Sequence, residues 1–177
     1  MKQEIIMAGF GGQGIMSMGK ILAYAGMKEG KEVSWMPSYG PEMRGGTANC
    51  TVVVSDSKIP SPLTSRPDVI IVMNLPSLDK FVDQVKAGGA VFYNSSLISR
   101  GIKRGEVEAF DLPANEIARE LGNNRIANMV MLGAFIEFSG LVALETIVNS
   151  LEHVLSSRSH DLIPLNKKAL DRGRELI

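Results

Sequence analysis

At 177 residues, 45% of them hydrophobic, the chain is long enough for one domain over 1–177, able to bury roughly 70% of the surface its unfolded form exposes. Its 19 Lys plus Arg balance 19 Asp plus Glu, which speaks against nucleic acid or an anionic membrane as the main partner, since both demand a basic excess. The single Cys50 rules out a disulfide framework and is too little to hold an iron–sulfur cluster or a structural zinc, so a reducing cytoplasm is expected.

Met1-Lys2-Gln3-Glu4 leads at once into a strand-like stretch too short for a signal-peptide core. The most apolar stretch, 128–144, is interrupted by Gly133, Glu137 and Gly140 and falls short of the ~20 residues a bilayer span requires. Between these points, short apolar runs alternate with amphipathic ones, the pattern of an α/β domain. A first strand is expected over 4–8, then a glycine-rich turn and a helix over 14–28. The helix carries Ile15, Met18, Leu22 and Ala25 at spacings of three and four, and Gly30 is available to end it. A second strand follows over 32–36, a polar loop over 37–46 and a third strand over 48–54. No helical pattern separates the second strand from the third, so this pair is expected to be antiparallel. Three prolines make 60–67 irregular.

Apolar residues 69–73 read as a strand buried on both faces, followed by a helix over 76–86 and a strand over 90–93. A last strand is expected at an edge over 106–110. Helices follow over 113–121, 125–139, 144–156 and 165–177, with 129–136 apolar all round. The expected architecture is a three-layer α/β/α domain with a mostly parallel sheet, one antiparallel strand and a helical C-terminal third.

Two segments carry the chemistry. Gly9-Phe10-Gly11-Gly12-Gln13-Gly14 is a G-x-G-x-x-G between a strand and a helix, where the missing Cβ atoms and free helix-start N–H groups favour an anion. Tight strand–helix packing would require the same glycines. A dinucleotide site also needs a carboxylate near the end of the second strand, yet that strand ends Met36-Pro37-Ser38, and Glu32 lies at its start. This weakens NAD and leaves an NADP reading that would draw on Arg44. The second segment, Tyr39-Gly40-Pro41-Glu42-Met43-Arg44-Gly45-Gly46, is long for joining adjacent strands. Arg44 suits a phosphate or carboxylate because its planar fork bonds two oxygens; a solvated Glu42–Arg44 pair is the plainer alternative. Asn74 and Asn94-Ser95-Ser96 fall at the same sheet edge, where such residues also end strands routinely. Cys50 reads as a buried, inert thiol and His153 as a surface residue. No Ser-His-Asp, HExxH or Walker arrangement is present.

Taken together, GFGGQGI at 9–15 and SYGPEMRGGTANCTVVVSD at 38–56 resemble the gamma subunit of 2-oxoacid:ferredoxin oxidoreductases over nearly the whole chain. The resemblance implies one part of an enzyme that decarboxylates a 2-oxoacid, transfers the acyl group to coenzyme A and reduces ferredoxin. It places thiamine diphosphate and the iron–sulfur clusters on alpha, beta and possibly delta partner subunits, with no cofactor held by this chain alone. It implies cofactor contacts on the coenzyme A side at Gly9, Gly11, Gly12, Gln13, Gly14, Arg44, Gly45, Gly46 and Asn94. Subunit contacts are implied at Tyr39, Gly40, Pro41, Glu42 and Met43. No catalytic or metal-binding residue is expected, and the isolated chain is expected to be inactive and able to self-associate. The rival readings are a stand-alone NADP-linked oxidoreductase or nucleotide-binding protein, and a scaffold whose glycine loops only pack against partners.

Overall fold

The computed structural model describes residues 1–38 and 48–177. Six strands form one sheet: β1 (Lys2–Gly9), β2 (Glu32–Ser38), β3 (Ala48–Ser55), β4 (Val69–Val72), β5 (Ala90–Asn94) and β6 (Glu108–Leu112), in the order β2-β3-β1-β4-β5-β6. β1, β4, β5 and β6 are parallel. β3 runs against both of its neighbours, so β2 points the same way as β1, and their carboxyl ends share one edge.

The helices are α1 (Ile15–Lys28), α2 (Leu75–Phe81), α3 (Ala114–Glu120), α4 (Ala127–Ser139), α5 (Leu144–Val154) and α6 (Ile163–Arg174). Alternation along each strand sends side chains to opposite faces. Ile5, Met7, Val52, Ile71 and Phe92 pack under α1 and α3–α6, whereas Ile6, Ala8, Ile70, Val72 and Val91 pack under α2 with Leu78 and Phe81. The three expected layers are therefore present but unequal. The stretch 127–136 of α4 is buried throughout. A Cβ on Gly133 would run into the Leu170 carbonyl of α6, and one on Gly173 into the Val130 carbonyl of α4. These two glycines allow the helices to touch backbone to backbone.

Several element ends differ from expectation, each for a tertiary reason. β1 begins at Lys2 because β3 pairs with it from Lys2↔Ser55 to Gly9↔Ala48. β2 continues through Pro37 to Ser38, since proline is tolerated in an edge strand. β6 lies two residues later than expected, where Ala90↔Glu108 sets its register and Leu112, 1% exposed, enters the core. The helix expected over 76–86 stops at Phe81 and continues as a 3-10 turn, Val82–Gln84. Similar 3-10 turns, Asn124–Ile126 and Ser157–Leu162, precede α4 and α6.

Candidate functional site: a glycine turn tied by amides

The turn 9–14 begins where β1 meets its neighbours. A Cβ on Gly9 would stand 2.6 Å from Gln13 Oε1, 2.9 Å from Ile15 Cδ1 and 3.0 Å from Met73 Cβ. The turn closes on itself through Gln13 N–H donating to the Phe10 carbonyl at 3.2 Å and Phe10 N–H donating to Gln13 Oε1 at 2.7 Å. Gly12 and Gly14 adopt left-handed backbone, φ +87° and +75°, a region that disfavours other residues.

Two asparagines from distant elements hold this turn. Asn74 Nδ2 donates to Gln13 Oε1 at 3.2 Å while Asn74 Oδ1 accepts the Ser77 N–H at 2.9 Å and caps α2. Asn128 Nδ2, at the start of α4, donates to the Gly14 carbonyl at 3.1 Å. That carbonyl also accepts the first helical bond of α1, from Met18 N–H at 2.9 Å.

The result is a set of donors without a partner among the described residues. Gly14 caps α1 without any side-chain hydrogen bond. Among the described residues, the N–H groups of Ile15, Met16 and Ser17 have no acceptor. They border a recess of about 250 Å³ together with Phe10, Gly11, Gly12 and Ala48. Phe10 stands at its lip, 42% exposed. No ionisable side chain among the described residues lines this recess. Its charge complementarity to an anion comes from backbone dipoles at a helix start. The ion pairs Glu4–Lys86–Asp68 and Lys31–Asp56 gather at the opposite edge of the sheet. Burial pushes the Glu4 carboxyl up, but hydrogen bonds from Lys86, Lys2 and Thr64, with the Lys86 charge, outweigh it and hold the group at about 2.

The loop residues Tyr39, Gly40, Pro41, Glu42, Met43, Arg44, Gly45 and Gly46 lie outside the described residues. The strands that bear them place the loop's two ends: Ser38 pairs with Asn49, and Ala48 pairs with Gly9. Both ends therefore stand at the carboxyl edge beside the glycine turn. Glu32 pairs with Ser55 at the other edge, and 34–38 offer no carboxylate, so no described residue at the end of β2 supplies the ribose-binding carboxylate of a dinucleotide site.

Two expected contact residues turn inward. Gln13 directs its carbonyl oxygen into the turn. Asn94 is fully buried; its Nδ2 donates to Asn115 Oδ1 at 2.7 Å and lies 3.4 Å from the Met73 carbonyl, tying β5 to β4 and α3. Neither belongs to the recess wall. Asn115 and Asn128 were not expected as part of this edge. Their only trace in the sequence is a polar residue beside or within an apolar helix. Cys50 lies beneath the turn, wholly buried, its Sγ 3.7 Å from the Ile15 carbonyl. Burial pushes its thiol up to about 12, against a smaller pull from Trp35, so it stays protonated and is no nucleophile. His153 is a surface residue stacked on Tyr24 at 5.3 Å.

The described residues of the recess contain no acid–base pair. At about 250 Å³ the recess falls below the ~300–1,000 Å³ of sites for whole drug-sized ligands. It has room for a single phosphate or another short anionic group.

Comparison with known proteins gives a consistent picture. A family model described as pyruvate ferredoxin/flavodoxin oxidoreductase matches residues 4–176. The chain is 43% identical over 174 residues to the ketoisovalerate oxidoreductase subunit VorA of Methanothermobacter thermautotrophicus, covering 97% of this chain and 36% of that protein. It thus spans about a third of that relative's length. Among solved structures, the gamma subunit of a keto/oxoacid ferredoxin oxidoreductase from Geobacter sulfurreducens superposes with a TM-score of 0.84 at 28% identity, covering 98% of this chain and 96% of the other. A 2-oxoglutarate:ferredoxin oxidoreductase from Magnetococcus marinus, solved with 2-oxoglutarate, coenzyme A and succinyl-CoA bound, superposes with a TM-score of 0.89 at 28% identity, over 99% of this chain and 31% of that one.

Proposed function

This chain belongs to the pyruvate ferredoxin/flavodoxin oxidoreductase family, and on that premise we propose that residues 1–177 are the gamma component of a multi-subunit 2-oxoacid:ferredoxin oxidoreductase. The complex would convert a 2-oxoacid and coenzyme A to acyl-CoA and carbon dioxide while reducing ferredoxin. Alpha, beta and possibly delta subunits would carry thiamine diphosphate, which supplies the decarboxylation chemistry, and the iron–sulfur clusters.

This chain's part is positioning. The observation that carries the reading is the row of unused N–H groups at Ile15, Met16 and Ser17 around the recess, at the edge where the loop 39–47 begins and ends. These donors hold an anionic portion of coenzyme A, and the Arg44 guanidinium adds the charge that the recess itself lacks. Gly45 and Gly46 let backbone approach the ligand, while Tyr39, Gly40, Pro41, Glu42 and Met43 contact a neighbouring subunit. Orientation and charge complementarity lower the barrier with no proton transfer by this chain.

The test is an anaerobic pull-down of tagged chain from its native host, followed by an assay of 2-oxoacid- and coenzyme A-dependent viologen reduction. Co-purifying thiamine- and cluster-bearing chains with that activity support the proposal. A chain that elutes alone, shows no such activity and binds NADPH overturns it. In the intact complex, Arg44→Ala is expected to raise the KM for coenzyme A several-fold; an unchanged KM refutes the role given to Arg44.

A further inference from the structure

Every residue over 127–136 in α4 is buried, and Asn128, 5% exposed, carries the one polar side chain among them. Burying an amide costs about 1–3 kcal/mol unless it is bonded, and one hydrogen bond returns only about 1 kcal/mol. An apolar residue would serve the packing of α4 as well. What the amide adds is a fixed point. Its Nδ2 donates to the Gly14 carbonyl at 3.1 Å, so closely that a Cβ on Gly14 would overlap it.

The Gly14 carbonyl and the Ile15 N–H belong to one planar trans peptide, in which the two bonds point in opposite directions. Whatever fixes the carbonyl therefore aims the N–H. Met18 N–H holds the same oxygen at 2.9 Å along the helix, and Asn128 adds a second tether from another element. α4 is in turn locked against α6 at Gly133 and Gly173, so the tether is anchored in a rigid helix pair.

We propose that Asn128 is a positioning residue: by holding the Gly14 carbonyl it aims the Ile15 N–H, and with it the first-turn donors of α1, at the anionic group of the bound cofactor. This rests on the coenzyme A reading given above. The residue touches no ligand itself and acts through Gly14.

The experiment uses the intact complex carrying Asn128→Ala, Asn128→Asp or Asn128→Ser, with Gly12→Ala as a change in the recess wall. Coenzyme A binding is measured by calorimetry without 2-oxoacid, and kcat and both KM values by viologen reduction. Asn128→Ala and Asn128→Asp are expected to raise the Kd and KM for coenzyme A up to about tenfold, the effect of one misplaced hydrogen bond. The 2-oxoacid KM and kcat stay within about twofold on the same basis. Asn128→Ser, which keeps a donor, is expected to fall between these and the parent and serves as the readout should the others fail to assemble. If Gly12→Ala weakens coenzyme A binding and no Asn128 variant does, whatever their melting temperatures, the positioning role is overturned and the recess reading stands. If neither position affects coenzyme A binding, the recess reading fails and this inference with it.

Discussion

Alanine at the two left-handed glycines of the turn separates backbone strain from collision. A Cβ on Gly12 meets nothing within 4 Å, so Gly12→Ala bears only the cost of φ +87°. Left-handed backbone costs about 1–2 kcal/mol for a residue with a Cβ, and the stiffer unfolded chain returns about 0.4–1 kcal/mol. The net loss is about 1 kcal/mol, or roughly 2–4 °C of melting temperature for a chain of this size. Gly14→Ala has the same strain at φ +75°, but its methyl also lands on the Asn128 amide. Overpacking of about 1–3 kcal/mol and a lost hydrogen bond of about 1 kcal/mol bring the total to about 3–5 kcal/mol. That corresponds to roughly 6–20 °C. Scanning calorimetry on the purified chain reads both effects. The double variant Gly14→Ala/Asn128→Ala removes the object struck and is expected to regain about 1–2 kcal/mol relative to additivity. Equal melting temperatures for Gly12→Ala and Gly14→Ala, or strict additivity in the double variant, would refute the collision.

Three further outcomes follow from other parts of the molecule. Gly173→Ala drives a methyl into the Val130 carbonyl, and a loss of about 2–4 kcal/mol is expected despite alanine's higher helix propensity; a melting temperature at or above the parent's would contradict the backbone contact between α4 and α6. Glu4 is held at about 2, below its ordinary 4.5, so its contribution is full above pH 4.5 and is lost as pH falls toward 2. Urea midpoints from pH 6 to 2 for Glu4→Gln should fall less steeply than the parent's over that window, and parallel slopes would rule the contribution out. Cys50, fully buried and with its thiol pushed up to about 12, should resist iodoacetamide in the native chain and react once unfolded; labelling of the native chain would disprove its enclosure.

The sheet was legible where local pattern and chain length leave one solution. A parallel return needs a crossover of a dozen or more residues, usually a helix, and the short segment between Met36 and Ala48 has no helical pattern, which is why the reversal of β3 could be read there. The buried α4 showed itself as an apolar run with no polar face. The register of β6 was not legible, because Glu106 and Glu108 are equally plausible starts until pairing with Ala90 selects one. At the site, the glycine spacing marked the turn, yet its supports were hidden. Asn74 reaches Gln13 across 61 positions and Asn128 reaches Gly14 across 114; contacts so distant leave no periodicity behind. Asn94 was expected at the ligand edge, and it does end its strand there, but the Asn115 amide that draws it inward lies on α3.

The reversed strand β3 also dictates the order in which this chain can assemble. Among the described residues β2 has no hydrogen-bonded neighbour except β3, and β1 is joined to β2 through it. A nascent chain that has emerged as far as Ser38 therefore holds two like-directed strands and a helix that no sheet unites. Emergence of β3 closes the pairing with its sequence neighbour β2 first and gathers β1 afterwards, since the shorter chain loop carries the smaller entropy loss. Until that step the apolar strands of the first third are unpaired; after it β1 still presents the edge that β4 later takes, so the exposure that favours aggregation narrows in two stages, at β3 and then at β4.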